Sequence, residues 1–382
     1  MGGEGYGTIG TIVDLFSGCG GFSLGAELAG FKSLAAIDVD PILQSGYRRN
    51  FPRSQAVQAS VADIDGTDWR NLIGRQRPDG VIGGPPCQGF SLIGKRAIDD
   101  PRNTLIGHFF RHVNLLRPKF FVMENVEGLL IGDSKKLLLE AIETVKPRFT
   151  VLDPIVVRAA DFGAATSRKR VIVVGYDPDE IESLESGGFS CGRLAPVNTV
   201  RDAISDLPGP IPAGGATDFG WARYSAHTPR GLSDYARELR RCPPPGLGSQ
   251  EAVQRHANGY VSGLAETRHS LQVAHRYANT PGGKAEPITK SYRLEWHGLC
   301  PTLRAGTGSD KGSFQAVRPL HPGEGRVITV REAARLQGFP DWFTFHPTKW
   351  HSFRMLGNSV SPFVGRGLLM TLANKFPLPL AA

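Results

Sequence analysis

The amino-acid sequence predicts a doubly wound α/β fold, a mostly parallel sheet covered by helices, joined to a smaller, loop-rich domain. In the first 177 residues, short apolar runs typical of strands alternate with segments of helical periodicity. Two of these runs lead directly into glycine-rich or proline-rich loops, which is typical of the ligand-binding edge of a parallel sheet. From about residue 178 to residue 325, Gly, Pro, Ser and Arg are frequent and apolar periodicity is weak.

The same patterns assign the individual elements. Strands are predicted at residues 9–16, 80–82, 119–123 and 170–174, and at an apolar run that ends at Asp38. Helices are predicted at residues 22–28, 102–116, 329–339 and 360–376, and the third of these should carry its charged residues on one face. We therefore expect an α/β domain at 1–177, a domain of loops and short strands at 178–325, and a C-terminal segment at 326–382 that returns to the first domain.

Composition narrows the class of protein. Lys and Arg number 44 against 36 Asp and Glu, which gives a net charge of +8 and is consistent with a polyanionic partner. No apolar run approaches the length of a membrane span, and the N-terminus lacks the pattern of a secretory signal, so a cytoplasmic protein is expected. The five cysteines are scattered and form no C-x-x-C pair, which argues against a disulfide framework and against a structural zinc site. We expect no metal.

The first motif is a glycine loop, DLFSGCGGFSLG, which runs from Asp14 to Gly25. A strand enters this turn and a helix leaves it, so backbone N–H groups can approach a ligand closely. Asp38 follows about 20 residues later at the end of the second strand, where an acid can bind ribose hydroxyls. A dinucleotide-binding oxidoreductase would need glycine where Ser23 stands, so a ligand without a pyrophosphate, such as S-adenosylmethionine, is favoured.

The second motif, GGPPCQGFS, places Cys87 directly after a buried strand and so at the carboxyl edge of the sheet. A lone cysteine is usually a small buried hydrophobe. Here two prolines stiffen the approach and glycines flank it, which is unusual for a core position. Cys87 is therefore a candidate nucleophile, provided that nearby groups stabilise its thiolate.

Two further motifs follow. Glu124, in the run MENV, ends the next strand and could serve as an acid or hydrogen-bond donor, although an isolated E-N pair is more often a helix cap or a surface acid. Arg168 and Arg170 are two residues apart at the start of a later strand, so both can face one side. They could clamp a phosphate or a base oxygen, with a solvated strand edge as the alternative interpretation.

The order of these motifs resembles the cytosine-C5 DNA methyltransferase family, of the prokaryotic restriction-modification type. DLFSGCGG, an acid after the next strand, GGPPCQGFS, ENV and SRKR follow one another as they do in that family. RVITVREAARLQGFPDWF resembles the segment after its target-recognition domain, and GNSVSP, from Gly357, resembles its last motif, which returns to the cofactor pocket. The resemblance covers roughly residues 8–175 and 300–375. It implies an S-adenosylmethionine-dependent, Rossmann-like sheet at 1–177 and a target-recognition domain at 178–325.

The resemblance also implies residue roles. Cys87 would attack C6 of a flipped-out cytosine, Glu124 would engage N3 and N4, and Arg168 and Arg170 would hold the flipped nucleotide, so that C5 takes the methyl group. Asp38 would hold the ribose of S-adenosylmethionine. The implied cofactor contacts are Phe16, Gly18, Cys19, Gly20, Gly21, Asp38, Val39, Asp63, Ile64, Pro86, Leu105, Asn358, Ser359 and Val360, of which Asp63 and Ile64 would meet the adenine.

DNA contacts are implied as well. The candidates are Gln88, Ser91, Thr302 and Arg304, with Lys284, Lys290 and Lys311 as further cations that could meet phosphates or bases. The glycine-rich segment 89–102 should close over the DNA. One departure from the family is Thr166, which stands where the family usually has Gln two residues before the first arginine; this puts the local DNA contact in doubt.

Two alternatives stay close to this interpretation. An RNA cytosine methyltransferase of the same fold is disfavoured by the sequence after Cys87 and by the long second region. A catalytically silent DNA-binding relative is disfavoured because Cys87 and Glu124 are both present. The expected partners are double-stranded DNA and, as a candidate, a cognate restriction endonuclease of the same system; the enzyme is expected to act as a monomer at the nucleoid.

Overall fold

A computed structural model describes residues 8–86, 104–189, 197–225, 231–306 and 318–376 of the chain. Within these residues the main sheet has eight strands and a second, small sheet has two. The strands are β1 (Gly10–Leu15), β2 (Phe31–Asp38), β3 (Gln55–Gln58), β4 (Gly80–Gly83), β5 (Phe120–Asn125), β6 (Thr150–Val151), β7 (Ile155–Arg158), β8 (Lys169–Tyr176), β9 (Ala222–Arg223) and β10 (Tyr260–Val261). The predicted strands of the first 177 residues are confirmed, with shifts of a few residues at their ends.

The order of the strands creates a crevice in the middle of the main sheet. The order is β3-β2-β1-β4-β5-β8-β6, with β7 also paired to β8. The first five strands are parallel, and β8 runs antiparallel to β5, β6 and β7. After β1 the chain builds outward in one direction through β2 and β3, then returns beside β1 with β4. At such a switch point the two following loops diverge, and ligands bind outside the carboxyl ends of the strands.

Helices cover both faces of this sheet. In chain order, the α-helices of the described residues are α1 (Gly21–Leu28), α2 (Pro41–Asn50), α3 (Gly66–Ile73), α4 (Thr104–Leu116), α5 (Asp133–Glu143), α6 (Val200–Ile204), α7 (Asp234–Leu239), α8 (Gln250–Ala257), α9 (Leu271–Asn279), α10 (Val330–Leu336), α11 (Lys349–Asn358) and α12 (Pro362–Ala373). In the part of the chain described, no helix has the length and apolar character that a bilayer crossing requires.

The central strands are apolar on both faces, as buried parallel strands are. Ile12, Ile82 and Val122 pack with α1 and α12 on one side. The residues next to them in sequence, such as Val13 and Phe121, pack with α3, α4 and α5 on the other. This alternation fixes the register, because a slip of one residue would exchange the two faces.

The last helix lies against the first. A Cβ atom at Gly25 of α1 would lie 2.6 Å from the Cα atom of Gly365 in α12, so glycine at both places lets the two backbones touch. A helix of the C-terminal segment therefore contacts the helix that follows the glycine loop. This contact brings the residues just before α12 to the carboxyl edge of β1.

A third core joins the remaining parts. It contains Tyr47 of α2, Val200 of α6, Leu294 and Phe339, so residues of the 178–325 region share one core with both flanking segments. The domain boundaries at 177 and 325 stay predictions. Within the described residues this region holds four short helices, α6 to α9, rather than mainly short strands. Each begins at a Ser or Thr whose side chain accepts a hydrogen bond from a backbone N–H of the first turn: Thr199, Ser233, Ser249 and Ser270. These capping residues are local signals in the sequence, but the weak apolar periodicity of the region did not indicate the helices that follow them.

The charged residues of α10 are buried, which the amphipathic pattern did not predict. Arg335 forms two hydrogen bonds to Asp341, at 2.6 and 2.7 Å, and contacts Asp206 at 3.1 Å. Arg331 donates to the carbonyl oxygens of Ser262, Pro340 and Phe343. Buried charges persist only when they are paired in this way. The charged face of α10 thus holds the second region against the C-terminal segment.

Candidate active site

A cavity of about 430 Å³ opens at the switch point of the sheet. Its size lies in the range of small-molecule sites, about 300–1,000 Å³. The loops after β1, β2, β4 and β5 border it, together with the start of β8 and the end of α11. Its lining includes many of the residues singled out in the sequence: Phe16, Gly18, Cys19, Gly21, Asp38, Val39, Pro86, Leu105, Glu124, Arg168, Arg170, Asn358, Ser359 and Val360.

The glycine loop and the end of β2 form one wall. The Gly18 N–H donates to Asp38 Oδ2 at 2.8 Å, and the Asp40 N–H donates to Asp38 Oδ1 at 2.8 Å. Burial raises the pKa of Asp38 to about 6, although the Gly18 N–H and the charge of Arg354 act in the opposite direction. Gly18 has a φ of +56° and a Cβ there would meet no atom within 4 Å, so the space beside it belongs to the cavity. Each oxygen of Asp38 keeps a lone pair for a ligand hydroxyl.

Two further buried groups lie in this wall. Asp14 accepts a hydrogen bond from Ser23 Oγ at 2.6 Å, and burial raises its pKa to about 7. The second group is the Cys19 thiol, whose pKa burial raises to about 12. Cys300 does not line the cavity, and burial raises the pKa of its thiol as well. Neither thiol is ionised near neutral pH, so neither can serve as a nucleophile.

The C-terminal motif forms the facing wall. A Cβ at Gly21 would fall within 3.0 Å of Ser359 Oγ and of the Val360 carbonyl oxygen, so only glycine lets this segment close on the start of α1. Asn358 is exposed, whereas Ser359 and Val360 are buried. Arg354 of α11 lines the same cavity and forms an ion pair with Asp40 across its rim. No sequence signal had drawn attention to Arg354.

The proline loop is held from beneath by the residue after Glu124. The Asn125 side-chain amide donates to the Pro85 carbonyl oxygen at 3.0 Å. A Cβ at Gly84 would lie 3.3 Å from Glu124 Oε2, so the loop backbone passes close to that carboxylate. Pro86 lines the cavity, and Cys87, Gln88, Ser91 and the rest of the segment up to residue 103 lie outside the described residues. Asn125 belongs to the ENV motif, but the sequence alone did not predict that it holds the proline loop.

Glu124 and the two arginines lie at the inner end of the cavity. Arg170 Nε is 2.7 Å from Glu124 Oε1, in the geometry of an ion pair rather than of a directional hydrogen bond. Arg168 is only 4% exposed, and its Nη1 donates to the carbonyl oxygens of Gly357 (3.1 Å) and Leu303 (3.3 Å). Burial lowers the pKa of Arg168 to about 9, and the charge of Arg170 lowers it too, against the effect of Glu124. Arg168 stays protonated at neutral pH.

Three predicted cofactor contacts lie elsewhere. Gly20 has a φ of +96° and packs against the Phe51 ring, so it serves the turn rather than the cavity. The Ile64 side chain is buried in a core cluster, and Asp63 beside it is exposed. The stretch of that loop that lines the cavity comes just before them, at Ala59, Ser60 and Val61. The turn into α3 follows directly, and the predicted contacts of Asp63 and Ile64 with the adenine stay predictions.

Thr166 also differs from expectation. It was suspected of weakening a DNA contact, but it is 1% exposed and its hydroxyl donates to the Cys300 carbonyl oxygen at 2.8 Å. Thr302 and Arg304, the predicted DNA contacts that follow Cys300, are exposed. Lys284 and Lys290 are exposed as well, and Lys311 lies outside the described residues.

The comparison with known proteins decides which chemistry this geometry serves. A family model described as C-5 cytosine-specific DNA methylase matches residues 10–373. The chain belongs to this family. It is therefore a DNA cytosine-C5 methyltransferase, and the RNA-methylating, silent and oxidoreductase alternatives are disfavoured.

Individual relatives agree with the family match. The methyltransferase is 42% identical over 374 residues to the Type II methyltransferase M.XorII of Xanthomonas oryzae pv. oryzae, covering 96% of this chain and 85% of that protein. It is 32% identical to the Type II methyltransferase M.DdeI of Desulfomicrobium norvegicum, covering 94% and 87%.

Solved structures share the fold. A prophage-encoded protein of E. coli, assigned to the DNA modification methyltransferases, superposes with a TM-score of 0.84 at 39% identity, covering 96% of this chain and 99% of that one. The S. pombe Dnmt2 methyltransferase superposes with a TM-score of 0.58 at 16% identity, covering 96% and 98%, which supports the fold alone. The predicted α/β methyltransferase fold is confirmed.

Proposed function

We propose that the enzyme binds S-adenosylmethionine in the 430 Å³ cavity and methylates C5 of a cytosine that has been flipped out of double-stranded DNA. One observation carries the proposal. A single cavity connects the glycine loop and Asp38 with Glu124, Arg168 and Arg170. Pro86, which precedes Cys87, lines the same space. A methyl donor at one end and a base at the other could therefore meet inside it.

The residues of the outer end fit the cofactor. Asp38 offers lone pairs to ribose hydroxyls, and Gly18 leaves open space beside the backbone. Asp14 and Asp38 both line the cavity, so the wall becomes anionic when they ionise and suits a cationic ligand. Phe16, Val39 and Leu105 supply apolar contacts. S-adenosylmethionine, when bound there, supplies an activated methyl group on a sulfonium ion.

The inner end suits the chemistry that the family resemblance implies. Cys87 attacks C6 of the flipped cytosine, and its thiol proton is lost to the surroundings. Glu124 engages N3 and N4, so that charge developing on the ring is offset. Arg170, at 2.7 Å, fixes the direction of that carboxylate. C5 would become nucleophilic and take the methyl group, and the sulfonium donor would leave as the neutral thioether S-adenosylhomocysteine. A base would then remove the C5 proton, and Cys87 would be eliminated as the C5–C6 double bond forms again. The base must leave the stack because a duplex covers both faces of the ring.

A basic surface begins at the rim of the cavity, and we propose that it contacts DNA phosphates. Arg354 lines the cavity, and its guanidinium carbon lies 5.6 Å from the centre of the Trp350 ring. Trp350, Arg304 and Arg318 border one shallow hollow. Lys349 is close enough to Arg318 that partial burial and this positive neighbour together lower its pKa.

We call Arg268, Arg304, Arg318, Lys349 and Arg354 the basic rim. Among the described residues, salt bridges link only two of these five to carboxylates: Arg268 to Glu266 and Arg354 to Asp40. Cations gathered without matching carboxylates repel one another, and an incoming polyanion relieves that repulsion. Thr302 lies next to this rim in the chain, which supports its predicted DNA contact.

The test of the function is bisulfite sequencing of DNA from a host that expresses the enzyme, beside a host that expresses Cys87→Ala. The host should lack nucleases that cut methylated DNA. We expect one short recurring motif to be protected with the wild type and not with the variant. Protection by Cys87→Ala would overturn the mechanism. A wild type that is soluble and binds the cofactor but protects no motif would overturn the proposal that DNA is the substrate.

The Type II relatives suggest the setting. We propose that the enzyme modifies the site of a restriction-modification system, with a cognate endonuclease as its functional partner, and that it works at the nucleoid, where its substrate lies. We also propose that the enzyme acts on its DNA as a monomer. Light scattering of the DNA complex should give a 1:1 stoichiometry, and DNA carrying the modification should resist the cognate endonuclease.

A further inference from the structure

Three distant segments meet beside the catalytic carboxylate. They are residues 165–168 at the start of β8, residues 300–305, and residues 356–359 at the end of α11. We call this meeting point the junction. The first segment leads to Arg170, the second carries the exposed Thr302 and Arg304, and the third leads into the cavity wall.

The first segment alternates. Thr166 and Arg168 are buried, whereas Ser167 and Lys169 between and beyond them are exposed. Because side chains alternate along an extended chain, Thr166, Arg168 and Arg170 share one side. Each holds a different part of the protein. Thr166 holds Cys300, Arg168 holds Leu303 and Gly357, and Arg170 contacts Glu124.

The second segment is anchored at both of its buried positions. The Cys300 carbonyl oxygen accepts from the Thr166 hydroxyl at 2.8 Å and from the Ser167 N–H at 2.9 Å, and the Cys300 N–H donates to the Ala165 carbonyl oxygen at 3.0 Å. The Leu303 carbonyl oxygen accepts a hydrogen bond from Arg168 Nη1. Thr302 and Arg304 are thereby presented outward from a backbone that is fixed to β8.

The third segment touches the second directly. A Cβ at Gly357 would fall within 3.0 Å of the backbone of Arg304 and Ala305, so the two chains pass in contact there. A shift of residues 303–305 would therefore also displace Arg168, Gly357 and Asn358, the last of which lines the cavity.

We propose that Arg168 and Thr166 are positioning residues that couple target recognition at residues 302–304 to the Glu124–Arg170 pair, and that Arg168 does not hold the phosphate of the flipped nucleotide. The Nη1 atom of Arg168 is already engaged with two carbonyl oxygens. Its Nε is buried without a partner among the described residues, and Arg168 borders a small hollow together with Arg170 and Val360. A guanidinium so enclosed is available to the protein interior rather than to the DNA backbone. The proposal rests on the proposed function.

Thr166 gives the mildest test, because valine has nearly the same shape but no hydroxyl. We would measure single-turnover methylation of a duplex with the site found by bisulfite sequencing, and of a duplex changed at one base pair. Thr166→Val should lower the rate on the correct duplex about five- to tenfold, the worth of one buried hydrogen bond, and leave the rate on the changed duplex nearly as it was. Discrimination should fall by the same factor.

Thr166→Ser is the matched control, because it keeps the hydroxyl, and it should behave like the wild type. The affinity for S-adenosylhomocysteine and the melting temperature are measured in parallel. A merely structural role predicts equal losses on both duplexes and a lower melting temperature. Unchanged discrimination in Thr166→Val, or equal damage in Thr166→Ser, would overturn the coupling.

Arg168→Met tests the second half of the proposal. If Arg168 contacts a phosphate, the slope of log affinity against log salt concentration should become shallower by about 0.9 on removal of its charge. We expect the slope to stay that of the wild type while the methylation rate falls; a shallower slope would restore the phosphate contact and overturn the assignment. If Arg168→Met does not fold, the Thr166 pair still decides the coupling. A wild type that methylates no DNA would instead refute the proposed function.

Discussion

Gly21→Ala is expected to open the cofactor cavity from the side of the C-terminal motif. The new Cβ would lie 2.0 Å from Ser359 Oγ and 2.3 Å from the Val360 carbonyl oxygen, whereas real Cβ contacts essentially never fall under 3.0 Å. One of the two segments must therefore move by about 1 Å. Helix α1 is held against α12 in backbone contact at Gly25 and Gly365, so the loop at 358–360 is the part that yields.

The displaced loop must return when the cofactor binds, so the strain appears as lost affinity. Overpacking of this kind costs about 1–3 kcal/mol, which corresponds to a loss of about five- to 150-fold in binding. Titration calorimetry with S-adenosylhomocysteine measures it. Gly209→Ala is the matched control, because a Cβ there meets nothing within 4 Å and Gly209 does not line the cavity. Binding by Gly21→Ala within twofold of the wild type would refute the reasoning.

Three other outcomes are expected. Burial raises the pKa of Asp14 from 3.8 to about 7, so this group contributes stability that is complete below pH 3.8 and is lost as pH rises through about 7, by up to about 4 kcal/mol. Denaturant titrations from pH 4 to 8 should therefore show a free energy of unfolding that depends less on pH in Asp14→Asn than in the wild type. The same pH dependence in both proteins would contradict this. By the same ionisation, affinity for the cationic S-adenosylmethionine should rise more between pH 5.5 and 8 than affinity for S-adenosylhomocysteine, as calorimetry with both would reveal. For the basic rim, Arg318→Ala and Arg304→Ala should each make the slope of log DNA affinity against log salt concentration shallower by about 0.9. The control Arg158→Ala removes an arginine that is paired with Asp161 on the surface, and it should leave this slope unchanged. The same slope in all three variants would mean that the basic rim does not contact DNA.

Much of the fold and part of the site could be predicted because the signals are local. The strand predicted at 119–123 contains four consecutive apolar residues, and the turn at Gly18 needs a positive φ that glycine adopts without strain. Such features depend on neighbours in the chain. Asp38 could likewise be placed, because the carboxyl ends of parallel strands meet at one edge.

The sequence was less informative where a neighbour came from far along the chain. The burial of the Ile64 side chain in the core beside α3 is one example. The charged residues of α10 were predicted only to share one face, and contacts with Asp206 and Asp341 make the burial of Arg335 stable. Arg354 carries no motif signal, because its partner Asp40 is distant in sequence.

The sequence by itself determined the class of sheet, the order of the motifs and the identity of the chemical groups, because apolar periodicity and turn chemistry act over a few residues. Tertiary structure alone decided which groups meet. Thr166 bonds to Cys300 across 134 residues, and Asn358–Val360 close on Gly21 from the other end of the chain. Such contacts depend on the packing of whole elements, since close-packed interiors fix positions that no short stretch of sequence specifies.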